Sequence, residues 1–137
     1  MKVRVKWIEG DRFMGESASG HAIVMEASAS ESSIGPSPME ILLLGMGACA
    51  SSDVVSILQK MRQNVDDVTI EMEAERADSI PRIFTKIHAV FTVIGKDVSL
   101  AKAEEAVKLS GEKYCSATRM LEKSADITFE TKVVEAP

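Results

Sequence analysis

Two residues in this 137-residue sequence stand out for their chemistry, Cys49 and Cys115. They lie 66 positions apart, so no Cys-x-x-Cys motif is present, and two cysteines are too few for a disulfide framework. The two histidines, His21 and His88, show no ligand spacing, and no zinc site or other metal is expected. A pair of thiols in a reducing compartment suggests thiol–disulfide cycling, on condition that the fold brings their Cα atoms within about 7 Å. Cys49 sits in an apolar run, where a thiol commonly serves as a small hydrophobe. Counted from Ser37 it is twelve residues into a helix, past the reach of the helix dipole, and Asp53 four residues on brings no positive charge. Its activating cation has to come from elsewhere in the fold or from a partner subunit. Cys115 directly precedes Ser116, a candidate helix cap, and follows Lys113 by two, so orphan amides could favour its thiolate. The alternative is a hydrophobic residue stapling the helix entry.

The elements that must position these thiols are read from period and punctuation. Val3–Ile8 alternates as a half-buried strand, with Trp7 as a packing anchor. Gly10-Asp11 and Gly20 mark two further strands, about 12–17 and 21–27, giving a three-stranded meander. A Ser-rich loop, 28–37, leads into Ser37-Pro38-Met39-Glu40, the spacing of a capping box. The helix that follows is apolar nearly all round and is expected to run to about residue 63, where Asn64 ends it. Gly45, Gly47, Ala48 and Ala50 lower its helix propensity and are useful only where something packs very close. Strands are predicted at 68–76 and 83–94, pairing antiparallel, with Glu71, Glu73 and Glu75 on a solvated face. A second helix, 99–110, ends or kinks at Gly111. A third, 117–123, is capped by Ser116, and a last strand spans 127–134. Met14, Met25, Met46, Met61, Met72 and Met120 read as core filler. Strand runs separated from helices indicate an α+β fold with mostly antiparallel sheets. One sheet cannot cover a helix that is apolar on every side, so two copies are expected to pack their central helices together between two sheets, an obligate homodimer.

Size and charge narrow the function. The length suits one domain, 1–137, with a core of its own. A net charge of −5 and only 6 aromatic residues disfavour a nucleic-acid surface. The N-terminus has no apolar leader, and the apolar stretch Met39–Ala50 falls short of the roughly 20 residues that cross a bilayer. The expectation is a soluble, cytoplasmic protein without a membrane partner.

The segment from Pro38-Met39-Glu40 to Gly47-Ala48-Cys49, and the later Lys113-Tyr114-Cys115-Ser116, resemble the OsmC/Ohr family of peroxiredoxin-like hydroperoxide resistance proteins over nearly the whole chain. Asp53-Val54-Val55 after Cys49, Glu75-Arg76, and Pro81 with Phe84 resemble in particular its YhfA-like branch. The resemblance implies an OsmC-like intertwined homodimer whose mostly antiparallel sheets enclose long central helices. It implies reduction of organic hydroperoxides, in oxidative stress defence, by a two-cysteine cycle without metal or organic cofactor. Cys49 would be the peroxidatic residue and Cys115 the resolving one, closing an intramolecular disulfide that a dithiol or lipoyl-type reductant reopens.

At two points this chain departs from the family's pattern. Met39 occupies the position where typical members carry a Glu that holds an Arg against the thiolate, and Glu40 follows one place later, about 100° around the helix. The loop 27–38 contains no Arg or Lys. Arg12, in the first hairpin, and Glu40 remain as activating or substrate-binding candidates, with Arg76 a further cation. Two other readings stand beside the enzyme. One is a binding module for a lipid-like or acyl ligand at the dimer interface; the other is a thiol redox or sulfur carrier.

Overall fold

The N-terminal alternation folds as the expected meander. In the computed structural model, which describes residues 1–28 and 30–137, contacts divide the chain into two compact units, Met1–Leu44 and Gly45–Pro137. In the first, β1 (Val3–Glu9), β2 (Arg12–Ser17) and β3 (Ala22–Glu26) form an antiparallel sheet in that order, with Trp7 opposite Phe13 and Phe13 opposite Met25. Gly10 and Gly20 take positive φ, 51° and 84°, at the two turns, the conformation that favours glycine. The half-buried face predicted for β1 is absent: all seven residues are exposed. Trp7 is 62% exposed and donates its indole N–H to the Gly10 carbonyl at 2.8 Å, so it pins a turn rather than a core. The physical reason is that β1 is an edge strand whose apolar side chains are left uncovered by the described residues of its own unit. Ala29, inside the Ser-rich loop, lies outside the described residues.

The capping box forms as its spacing requires. The Glu40 amide donates to Ser37 Oγ (3.2 Å) and the Ser37 amide to Glu40 Oε1 (3.0 Å), opening α1 (Pro38–Lys60). The helix ends three residues before the expected point, because Arg62 adopts φ 59° and closes a Schellman motif. There the Gln63 amide donates to the Leu58 carbonyl and the Arg62 amide to that of Gln59, both at 2.9 Å. At 23 residues α1 is long and apolar enough, by length and composition alone, to cross a bilayer, a test that a core helix also passes. It is not buried all round. Met46, Gly47, Ala50, Val54 and Leu58 form one buried stripe, while Leu42 and Leu44 are half exposed and Gly45 faces open space.

The second unit is built on β4 (Asn64–Arg76), β5 (Phe84–Lys96) and β6 (Asp126–Glu135), with β5 central. β4 pairs antiparallel, and β6 pairs parallel to β5. A parallel partner requires a crossover, here α2 (Leu100–Leu109), a turn of π helix (Ser110–Tyr114) and α3 (Ser116–Leu121). Around Gly111, the expected end or kink of the helix, the α-helix gives way to the π turn, and the chain leaves helical geometry at Cys115. Ala50, Val54 and Leu58 of α1 pack with Phe91 and Val93 of β5, with Ala103, Ala106 and Val107 of α2, and with Cys115. Glu71, Glu73 and Glu75 are exposed as expected, and Met46 is buried, but Met120 is 72% exposed and fills no core.

Candidate thiol site

The site is held by α1 and by the π turn. Cys49 follows the buried stripe of α1 and is half buried against the core cluster; Cys115, 0% exposed, is part of that cluster. Both are free thiols, and Cys49 packs against the buried cluster to which Cys115 belongs. The fold thus brings together the two residues that the sequence left 66 positions apart.

Several groups hold Cys115 in place. The π turn closes with its amide donating to the Ser110 carbonyl at 2.8 Å. Ser110, fully buried, donates its hydroxyl to Asp53 Oδ2 (3.1 Å) and approaches the Ala50 carbonyl (3.4 Å), which fastens the turn to the helix carrying Cys49. Asp53 therefore has a buried partner that no local pattern announced. Gly111 lets the turn lie on Phe129, whose ring is 2.8 Å from where a Cβ would stand.

The cap of α3 is Cys115, not Ser116, which is the first helical residue. The sulfur accepts from the Thr118 amide (3.4 Å) and the Thr118 hydroxyl (3.1 Å). Burial pushes the Cys115 thiol above its ordinary value, the two Thr118 donors act in the opposite direction, and the nearby Cys49 thiol raises it again. Lys113 does not reach the sulfur to balance this; its ammonium lies over the Tyr114 ring, 5.2 Å from the centroid. Thr118 was missed in the sequence, although its place three residues after a cap is where a side chain can reach back to that cap.

The remaining candidates are engaged elsewhere. Arg12, half buried, meets Glu9 at 3.2 Å and the buried Glu26 at 3.7 Å, and Glu26 also accepts the Ile34 amide at 2.8 Å. Glu40 is exposed, and its carboxyl is held below the usual range first by the Ser37 amide and then by the Ser37 hydroxyl. Arg76 donates to the Arg82 carbonyl at 2.8 Å and closes the β4–β5 connection. Among the described residues, no three His, Cys, Asp or Glu side chains are grouped to hold a metal ion. A recess of about 760 Å³ borders Thr118, Gly111 and Phe129, and another of about 380 Å³ borders Asp53 and Tyr114.

Residues 29–130 match the family model described as OsmC-like protein. The chain belongs to the OsmC-like family. It is 49% identical over 136 residues to protein YhfA of Escherichia coli K12, covering 99% of this chain and all of that protein. A crystal structure of a hypothetical protein from Aquifex aeolicus superposes with a TM-score of 0.88 at 30% identity, covering 99% and 97% of the two chains. The organic hydroperoxide resistance protein OhrB of Bacillus subtilis superposes at 0.65 with 22% identity and 96% coverage of each, a likeness of fold. The α+β fold and the family resemblance read from the sequence are thus both found. The OsmC-like fold accounts for a long helix set beside a mixed sheet.

Proposed function

We propose that this OsmC-like chain is a thiol-dependent peroxidase that reduces organic hydroperoxides through Cys49 and Cys115. The observation that carries the reading is the placement of two free thiols of unequal exposure at one hydrophobic cluster. A family fold shared with a protein named for organic hydroperoxide resistance supports it. Cys49, the accessible sulfur, attacks the distal peroxide oxygen as thiolate; the O–O bond breaks, the alkoxide takes a proton and leaves as alcohol, and Cys49 becomes a sulfenic acid. Cys115 then attacks the Cys49 sulfur. The S–S bond forms, the S–O bond breaks, and the Cys115 proton leaves with the hydroxyl as water. A dithiol or lipoyl-type reductant restores both thiols and carries away the two electrons.

Arg12 and Glu40 are the proposed activating or substrate-binding groups, a role in which Arg12 would exchange its Glu9 and Glu26 partners and Glu40 its place in the capping box. The working form is read as a single-domain chain in a homodimer, in a reducing, cytoplasmic compartment. The uncovered apolar residues of β1 and α1 support the dimer.

The test is reductant-coupled turnover of cumene hydroperoxide beside hydrogen peroxide. The wild type is expected to prefer the organic peroxide, Cys49→Ser to be inactive, and Cys115→Ser to stall with a trappable sulfenic acid on Cys49. Wild-type turnover no faster than free dithiol would overturn the reading.

A further inference from the structure

The peroxidase cycle asks Cys115 to carry negative charge twice, and its surroundings are poor in positive charge. It must give up its proton when it attacks the Cys49 sulfenic acid, and it must leave as thiolate when the dithiol attacks the half-buried Cys49 sulfur of the disulfide. From α1 it meets Cys49, and Asp53 stands behind Ser110. From β5 it meets apolar Phe91 and Val93 of the same cluster. In its own segment Lys113 lies over Tyr114, and Arg119 is turned to Glu122 (3.0 Å) and to the Glu112 carbonyl (3.2 Å). Against this stands Thr118, 1% exposed, with its amide and its hydroxyl both aimed at the sulfur.

We propose that Thr118 is a catalytic residue of this site, its amide and hydroxyl holding the Cys115 sulfur as a thiolate in the two steps where that sulfur bears charge. This rests on the two-cysteine reading and adds a group to it. In the first step the Cys115 proton passes to the departing hydroxyl oxygen, water leaves, and the developing charge is met by two preset donors. In the second, the incoming dithiol sulfur bonds to Cys49, the S–S bond breaks, and its electron pair stays on Cys115 under the same donors. Charge-assisted hydrogen bonds of this kind are the strong ones, and a leaving thiol with a better-held thiolate departs faster. The alternative donor for a buried sulfur would be a cation, and the two cations of its own segment, Lys113 and Arg119, are turned elsewhere.

The test separates this role from the peroxidase cycle. In a Cys49→Ser, Tyr114→Phe background, which removes the second thiol and the chain's one tyrosine, the ultraviolet thiolate absorbance of Cys115 is followed against pH. Thr118→Val is expected to raise the midpoint by about one unit, and Thr118→Ser to restore it. With both cysteines present, Thr118→Val should slow conversion of the Cys49 sulfenic acid to disulfide about tenfold, less so as pH rises, with Thr118→Ser close to wild type. Thr118→Ala serves the same comparison if valine disturbs α3. An unchanged midpoint in a folded Thr118→Val protein, or an equal shift in Thr118→Ser, would overturn the proposal. A normal titration response together with absent peroxide turnover would sink the peroxidase reading and leave the role of Thr118 at the sulfur standing.

Discussion

Cys115 shows how burial and hydrogen bonding oppose each other on one atom. Because burial raises its folded-state value above the unfolded one, its contribution to stability is fully present below the ordinary thiol value of about 8.5. That contribution is lost as pH rises through the raised value. Urea midpoints of the reduced protein should therefore fall across that alkaline interval. Cys115→Ala should be flatter there, while being less stable at neutral pH by about 1–2 kcal/mol for its lost packing. A decline of equal steepness in the alanine variant would assign the loss to other groups. The sequence made both cysteines visible as chemistry but misassigned the cap, because Ser116 has the better intrinsic preference for that position. Sulfur wins it here since the π turn carries Cys115 one residue further into extended backbone, φ −75° and ψ 104°.

At the scale of elements, α1 is fastened at its start by side chains and at its end by backbone. Ser37→Ala should cost about 1 kcal/mol in chemical denaturation, the usual worth of an N-cap. Glu40 has its folded value depressed, so its contribution is present above about 4.3 and disappears as pH falls through the folded value. Because the Ser37 amide is the larger cause, Ser37→Ala should keep most of that acid dependence, and Glu40→Gln should remove it; midpoints measured from neutral to acid pH decide. Two glycines give a second comparison. A Cβ at Gly47 meets only the mobile Met72 Cε at 2.7 Å and Ile70 at 3.4 Å. Gly47→Ala should therefore be close to neutral, the better helix propensity offsetting a small shift. Gly111→Ala drives into the Phe129 ring and should lose about 1–3 kcal/mol by thermal or urea unfolding.

For the whole molecule, the apolar side chains that a single copy leaves uncovered decide the prediction. Val3, Val5, Trp7, Leu42 and Leu44 are each about half exposed or more. Ala48 is exposed and Gly45 has nothing within 4 Å of its would-be Cβ. Sedimentation should find a dimer, and Ala48→Glu, by placing a charge on the uncovered face of α1, should shift it to monomer or lower its midpoint in a concentration-dependent way. A monomeric wild type would remove the dimer from the proposal.

Local pattern was sufficient for the strands, the capping box, the apolar helix and the two thiols. Period, turn residues and caps act within a few positions, and the sequence displays them directly. It did not contain the exposure of β1, the single buried stripe of α1, the parallel place of β6, or the Asp53–Ser110 and Cys115–Thr118 hydrogen bonds. Of these, only the Cys115–Thr118 pair lies within local reach, three residues apart. The others depend on which distant surfaces meet: whether an apolar face is covered, and which buried oxygen a hydroxyl must find, is settled only when helix, turn and sheet exclude water together. The approach of Cys49 to Cys115 belongs to the same class, since residues 66 positions apart reach one cluster only when the chain between them has folded.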